Sequence, residues 1–301
     1  MIRHVLELDD LNAQELVRVL DLADDTARPP VLAGQTVGLY FEKPSLRTRH
    51  SSEVAVVQLG GHPVTFRRDE VGAGEREPMA DIARVLSGYH AAIGARVFDH
   101  ATLEHLAGAS SIPVVNLLSD TGHPCQSLAD LLTMRQEWGS LEGRTVAWIG
   151  DYNNVARSLA LGAALSGMQL RIASPAGFGP TDADIDRLVL AGLRGAPEVF
   201  DRAAEAVRDA DAVHTDVWAS MGQEDQAEAR NRAFEGFQVD DAVMAAAPEH
   251  SVFMHCLPAH RGEEVAASVV DGPQSRVFPQ AHNRLHAFRG LLRFVLGEAA
   301  G

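Results

Sequence analysis

Short apolar runs that alternate with segments of helical period constrain this chain more than any other feature. In the first half, Val37–Phe41, Ala91–Arg96 and Ile112–Leu117 read as strands. In the second half, Arg144–Ile149, Gln169–Ala173, Pro197–Phe200, Ala212–Thr215 and Val252–Cys256 continue the series. Between them, helical spacing runs from Asp9 to about Ala27 with Asp10 as candidate N-cap, and from Ser51 to Leu59 before Gly60-Gly61. It recurs at Met79–Tyr89, at Ser127–Trp138, up to about Ser166, and at Asn283–Leu296. Strands alternating with helices dictate an α/β fold of open parallel sheets with helices on both faces. The composition break Gly139-Ser140-Leu141-Glu142-Gly143 separates two such series, which predicts domains over 1–138 and 139–280.

Composition narrows the function. The 301 residues leave room for two domains of ordinary size, and 46% hydrophobic with 22% charged residues is a globular balance. A formal charge of −15 argues against nucleic acid and anionic membrane surfaces as partners. No run is long and apolar enough to span a bilayer, and the N-terminal stretch lacks the apolar core of a signal peptide. Cys125 and Cys256, the two cysteines, each lie in a His/Pro-rich motif. They read as free thiols in a reducing compartment, so a cytoplasmic location is expected.

The chemistry-bearing motifs all fall where a predicted strand ends, which is where open parallel sheets bind ligands. Lys43-Pro44-Ser45-Leu46-Arg47-Thr48-Arg49 joins the first strand to a helix. Unpaired N–H groups at the positive end of a helix dipole, with hydroxyls from Ser45 and Thr48 and guanidinium groups from Arg47 and Arg49, suit a phosphate dianion. The loop from Arg67 to Pro78 is charged and carries two glycines, as a mobile segment would. Gly122-His123-Pro124-Cys125-Gln126 sets a His and a Gln three apart at a helix start, where an imidazole donates to a developing oxyanion and an amide fixes a small planar group. Asp216 and Ser220-Met221-Gly222 offer an acid and a hydroxyl to an ammonium or amino-acid ligand.

His255-Cys256-Leu257-Pro258-Ala259-His260-Arg261-Gly262 is the densest motif and invites a zinc reading. Adjacent residues at a strand end point to opposite faces, and the paired spacings of a structural site are missing, so no metal is expected. A cysteine nucleophile would need a general base that no motif specifies. Gly150-Asp151-Tyr152-Asn153-Asn154 follows a strand as a dinucleotide loop would, but it lacks the second and third glycines, and Ser174-Pro175 replaces the ribose-binding acid.

Taken in order, these motifs resemble the transcarbamoylase family, on its ornithine branch, over nearly the whole chain. The family's Ser-Thr-Arg-Thr-Arg loop appears as Ser45-Leu46-Arg47-Thr48-Arg49, its strand-end arginine as Arg96, and its His-Pro-Cys-Gln as His123 to Gln126. Asn153-Asn154 matches its asparagine pair, with Asn154 as the substrate contact. Asp-x-x-x-Ser-Met-Gly is intact from Asp216 to Gly222, His-Cys-Leu-Pro from His255 to Pro258, and Asn-Arg-Leu-His supplies Arg284. Departures are Leu46 for Thr, Gly72 where a Gln usually reaches a neighbouring subunit, Tyr152 for Gly, Ser52 for Phe and His282 for Glu.

The resemblance implies carbamoyl transfer from carbamoyl phosphate to L-ornithine, giving L-citrulline and phosphate, without metal or organic cofactor. It implies that a C-terminal helix, 281–298, packs back on the first domain, and that interdomain helices join the two. Carbamoyl phosphate would meet Ser45, Leu46, Arg47, Thr48, Arg96, His123, Pro124, Cys125, Gln126, Cys256, Leu257 and Arg284. Ornithine would meet Asn154, Asp216, Ser220 and Met221. Arg96, His123, Asp216 and Cys256 would be catalytic, the last two orienting the amine and taking up its proton. A homotrimer, or a multiple of trimers, is implied as well. Another amine, such as putrescine or a modified ornithine, and a weakly active ornithine- or phosphate-binding role are the alternatives.

Overall fold

A computed structural model describes residues 2–74, 76–219 and 224–297. The chain forms two compact units, Met1–Leu132 with His282–Gly301, and Thr133–Ala281. It passes from one to the other inside helices rather than at the glycine-rich break.

The first unit runs α1 (Ala13–Asp24), β1 (Thr36–Phe41), α2 (Leu46–Gln58), β2 (His62–Arg67), α3 (Arg68–Val71), α4 (Met79–Ser87), β3 (Ala92–Arg96), α5 (His100–Ala109), β4 (Val114–Leu118) and into α6 (Pro124–Trp138). The second runs β5 (Thr145–Ile149), α7 (Asn154–Leu165), β6 (Gln169–Ala173), α8 (Asp182–Leu190), β7 (Glu198–Phe200), α9 (Ala203–Ala206), β8 (Ala212–Thr215), α10 (Ala227–Ala233), α11 (Asp241–Ala246), β9 (Val252–His255), α12 (Ala267–Val270) and into α13 (Val277–Val295). The α/β class with two parallel sheets is as the alternation requires.

The sheet orders are β2-β1-β3-β4 and β7-β6-β5-β8-β9, with every pair parallel. Strand order reverses between β1 and β3 in the first sheet and between β5 and β8 in the second. Loops after those strands diverge and leave a crevice for a ligand. Strands β3, β5, β8 and β9 are buried along their whole length, as sheets covered on both faces demand. Leu103, Leu106 and Ile82 cover the first sheet, and Phe234, Phe253 and Val213 lie in the core of the second unit.

Several boundaries differ from the periodicity. Asn12, not Asp10, caps α1: its side chain accepts from Glu15 N at 3.0 Å and Glu15 returns a bond to Asn12 N at 2.9 Å. Asp10 instead closes the preceding turn, accepting from Leu6 N at 2.7 Å. Helix α2 starts at Leu46, ahead of the apolar pattern, because Ser45 caps it and its first turns carry polar residues. Strand β2 escaped notice as a half-exposed edge strand containing Pro63, which is tolerated only at an edge.

Within the first unit α13 closes onto α1. Arg289 donates to the carbonyls of Ala23 (3.2 Å) and Asp25 (2.6 Å), and Arg293 to that of Leu22 (3.1 Å). These guanidinium groups satisfy the orphan carbonyls at the negative end of α1. Gly290 permits the approach, since a Cβ there would lie 2.5 Å from Ala23 N and 2.7 Å from its Cα. Both are backbone atoms that cannot swing aside. Gly290→Ala is therefore expected to cost about 1–3 kcal/mol of overpacking. Calorimetry should find melting lower by about 2–4 °C for each kcal/mol.

Candidate active site

In the first unit, the ends of β1 and β3 flank the strand-order reversal. Ser45 caps α2 by accepting from Thr48 N at 3.2 Å, which leaves the first N–H groups of the helix facing outward. Arg96 ends β3 where the register to β4 shifts between Ala95 and Arg96. Thr48, Arg96, His123, Gln126 and Arg284 are all buried. Thr48 Oγ1 is reached by Arg96 Nη1 at 3.4 Å and by Arg284 Nη2 at 3.2 Å. Arg284 Nη1 also donates to Gln126 Oε1 and approaches His123 Nε2 at 3.4 Å. Gln126 in turn donates to Asp130 at 2.7 Å.

Burial, then Arg284 and Arg96, hold His123 well below the ordinary histidine range. The imidazole is neutral at neutral pH. A guanidinium can only donate, so Nε2 accepts and the ring proton sits on Nδ1. This corner concentrates positive charge and donors in a dry setting, the arrangement that stabilises a phosphate and a developing oxyanion.

In the second unit, Gly150 takes φ +126° directly after β5, a conformation open to glycine. Ser174 Oγ donates to its carbonyl at 2.6 Å, and Thr215 Oγ1 donates to that of Ile149 at 2.6 Å. The pinned loop delivers Asn153, which caps α7 by accepting from Val155 N and Ala156 N at 2.9 and 3.1 Å. Asn153 Nδ2 then donates to Asp216 at 2.8 Å across the second reversal. The other Asp216 oxygen accepts from Cys256 Sγ at 3.0 Å. A buried carboxylate thus sits between an amide and a thiol, able to hold an ammonium.

Behind Cys256 lies a buried polar network. His255 Nδ1 accepts from Leu257 N at 2.9 Å, and Nε2 faces Glu264 at 3.0 Å. Gln280 accepts from His255 N at 2.9 Å and donates to His214 Nε2 at 3.1 Å. Leu257 itself has φ +59°, left-handed for a branched residue, and precedes a cis proline bond. Possible metal-ligating atoms of Asp216, His255 and Cys256 do come within 4.8 Å of one another, so the opposite-faces argument against their meeting fails. Both His255 nitrogens are committed, however, and a cation would have to displace one of those partners.

Two family models match: "Aspartate/ornithine carbamoyltransferase, carbamoyl-P binding domain" over residues 3–136, and "Aspartate/ornithine carbamoyltransferase, Asp/Orn binding domain" over residues 142–295. The chain belongs to the aspartate/ornithine carbamoyltransferase family. An ornithine carbamoyltransferase from Acidothermus cellulolyticus is 50% identical over 310 residues, covering 100% of this chain and 99% of the relative. One from Haloquadratum walsbyi is 46% identical over 299 residues, covering 97% of each. Among solved structures, the ornithine carbamoyltransferase from Pyrococcus furiosus superposes with TM-score 0.93 at 42% identity, covering 99% of this chain and 98% of that one.

Within this carbamoyltransferase the expected residues fall into two groups, one per unit. Ser45, Leu46, Arg47, Thr48, Arg96, His123, Pro124, Gln126 and Arg284 belong to the first; Asn154, Asp216, Cys256 and Leu257 belong to the second. Ser220 and Met221 lie outside the described residues. Leu46 is exposed, so its helix-start backbone is what it offers. Arg49 turns to Glu53 at 3.0 Å, away from the anion role its spacing suggested. Cys125 turns its buried thiol to the Asn116 carbonyl at 3.3 Å, and burial pushes it up to about 12, so its backbone at the start of α6 is what it can offer.

The departures have local causes. Gly72 is the left-handed C-cap of α3 at φ +64°. Ser52 donates to Thr48 O at 2.8 Å inside α2, and the buried Tyr152 ring packs under Arg157. Sequence reasoning missed Asn153 as the Asp216 partner, although an Asn before a helix start signals a cap. It also missed Gln280 and Glu264, for which no spacing gives a signal.

Proposed function

We propose that this chain catalyses carbamoyl transfer from carbamoyl phosphate to the side-chain amine of L-ornithine, giving L-citrulline and phosphate. The observation that carries the reading is chain-long identity of 45–50% to several ornithine carbamoyltransferases. In support, the buried cation corner and the Asp216–Cys256 pair are each placed at a strand-order reversal.

The phosphate is held by Ser45, Arg47, Thr48 and the N–H groups that open α2, including that of Leu46. Thr48, Arg96 and His123 polarise the carbamoyl oxygen and stabilise the tetrahedral oxyanion. Gln126, Arg284 and the Leu257 carbonyl orient the carbamoyl group, with Pro124 and Cys125 at the start of α6 and Cys256 beside it. Asn154, Asp216, Ser220 and Met221 bind ornithine. Its ammonium must lose a proton before attack, and Asp216 with Cys256 orients the amine and takes that proton. Collapse of the intermediate then expels phosphate. No resident cofactor is invoked.

We further place the enzyme in the cytoplasm, where thiols outside any disulfide, such as Cys125 and Cys256, persist, and infer a homotrimer or a multiple of trimers from the family resemblance. Light scattering checks the latter. The function is tested by citrulline formation from carbamoyl phosphate and ornithine, with putrescine and acetylornithine alongside. Turnover with ornithine is expected; preference for another amine would move the substrate, and silence with all three would overturn the reading.

A further inference from the structure

Asp130 is a fully buried carboxylate on α6 that has no task in the mechanism. Taking a carboxylate out of water is costly, so a buried one needs a use inside the protein. Asp130 stands four residues after Gln126, on the same face of the helix, and accepts from Gln126 Nε2 at 2.7 Å. The other end of that amide, Oε1, accepts from Arg284 Nη1. Gln126 itself is buried.

A primary amide fits a site either way round, and the two ways present opposite chemistry: the oxygen accepts and the NH2 group donates. Both neighbours of Gln126 work in one direction. A guanidinium only donates and a carboxylate only accepts, so the pair fixes which end is which. Turned round, the amide would set NH2 against the guanidinium and oxygen against the carboxylate, losing two charge-assisted bonds in a dry setting. Arg284 also approaches His123 Nε2 at 3.4 Å and reaches Thr48 Oγ1 at 3.2 Å, which places the oxygen end of Gln126 at the cation corner. A carbonyl oxygen takes two hydrogen bonds, and Arg284 uses one.

We propose that Asp130 is a positioning residue that sets acyl-group specificity: by holding Gln126 Nε2, it turns Oε1 to the acyl phosphate and selects a carbamoyl over an acetyl group. The inference rests on the proposed function for the identity of that acyl phosphate. Carbamoyl phosphate carries NH2 where acetyl phosphate carries CH3, and the two match in charge and nearly in size. The open lone pair of Oε1 accepts from the NH2 group. A methyl group offers it nothing and leaves a buried acceptor unpaired. With the amide reversed, NH2 would meet NH2 and the preference would go.

The test is the ratio of affinities for carbamoyl and acetyl phosphate, measured by calorimetry in native protein and in Asp130→Leu. Leucine keeps the branched shape and supplies no acceptor. Native protein is expected to favour carbamoyl phosphate about 10- to 100-fold, and Asp130→Leu to lose about tenfold of that ratio. Loss of a counter-charge or a general loosening would weaken or tighten both ligands alike, because their charges are equal, and would leave the ratio where it was. KM for carbamoyl phosphate should rise with the lost ratio, while KM for ornithine stays within about twofold. A native protein that binds the two equally, or a ratio unchanged in Asp130→Leu, would overturn the inference. Should Asp130→Leu not fold, Asp130→Asn carries the test. It keeps the shape but replaces a charged acceptor by a neutral one, so a ratio about threefold lower is expected, and a native ratio counts against the proposal. If native protein makes no citrulline, the function fails, and the binding ratios still decide the role of Asp130.

Discussion

Replacing Arg96 by methionine is expected to lower kcat for citrulline formation by about 10²–10³, the usual consequence of losing one donor to an oxyanion. Methionine approximates the apolar stem, so the end of β3 keeps its packing while the charge and the bond to Thr48 go. A second readout separates this from general disruption. Arg96 is one of two cations, after burial, that hold His123 down, so its loss must move the His123 pKa upward toward 6.5. Burial and Arg284 remain, and the recovery is partial. The acid limb of the rate profile should therefore shift to higher pH in Arg96→Met. A kcat within tenfold of native, or an acid limb moved to lower pH, would remove Arg96 from the proposed oxyanion site.

What the sequence displays of this molecule is what is local. The strand Gln169–Ala173 agrees with its periodicity to the residue, because buried Leu170 and Ile172 alternate with the more open Gln169 and Arg171, the period of a strand. The α2 start was hidden because the polar residues of its first turns, Arg47 to Ser52, interrupt the apolar pattern that marks a helix. Meetings between distant residues were invisible. Arg284 reaches Thr48 across 236 residues and His123 across 161, and no spacing rule connects them. They were named through resemblance, and the strand order supplies the physical reason: the reversal brings the ends of β1 and β3 and the start of α6 around one corner. The His255–Gln280–His214 network was beyond reach for another reason. A buried glutamine reads like any other until its two partners are known.

Asp216→Asn is expected to lower kcat/KM for ornithine by about 10³ at neutral pH, while KM for carbamoyl phosphate changes little. The substitution keeps the shape. Its oxygen can still accept from Asn153 or from Cys256, which at present hold the two carboxylate oxygens at 2.8 and 3.0 Å. It removes the charge that attracts an ammonium and the base that receives its proton. An alkyl amine has a pKa of about 10, so at pH 7 roughly one molecule in 10³ is already neutral. On the proposed mechanism, native enzyme would bind the abundant ammonium and deprotonate it in place. The variant must wait for the rare neutral amine, whose fraction grows tenfold with each pH unit below that pKa. The deficit in Asp216→Asn should therefore shrink steadily as pH rises toward about 9.5. Steady-state rates at fixed, saturating carbamoyl phosphate from pH 7 upward check this directly. A deficit equally deep at every pH would mean that Asp216 holds the loop in place and handles no proton; one that closes with pH assigns it the proton.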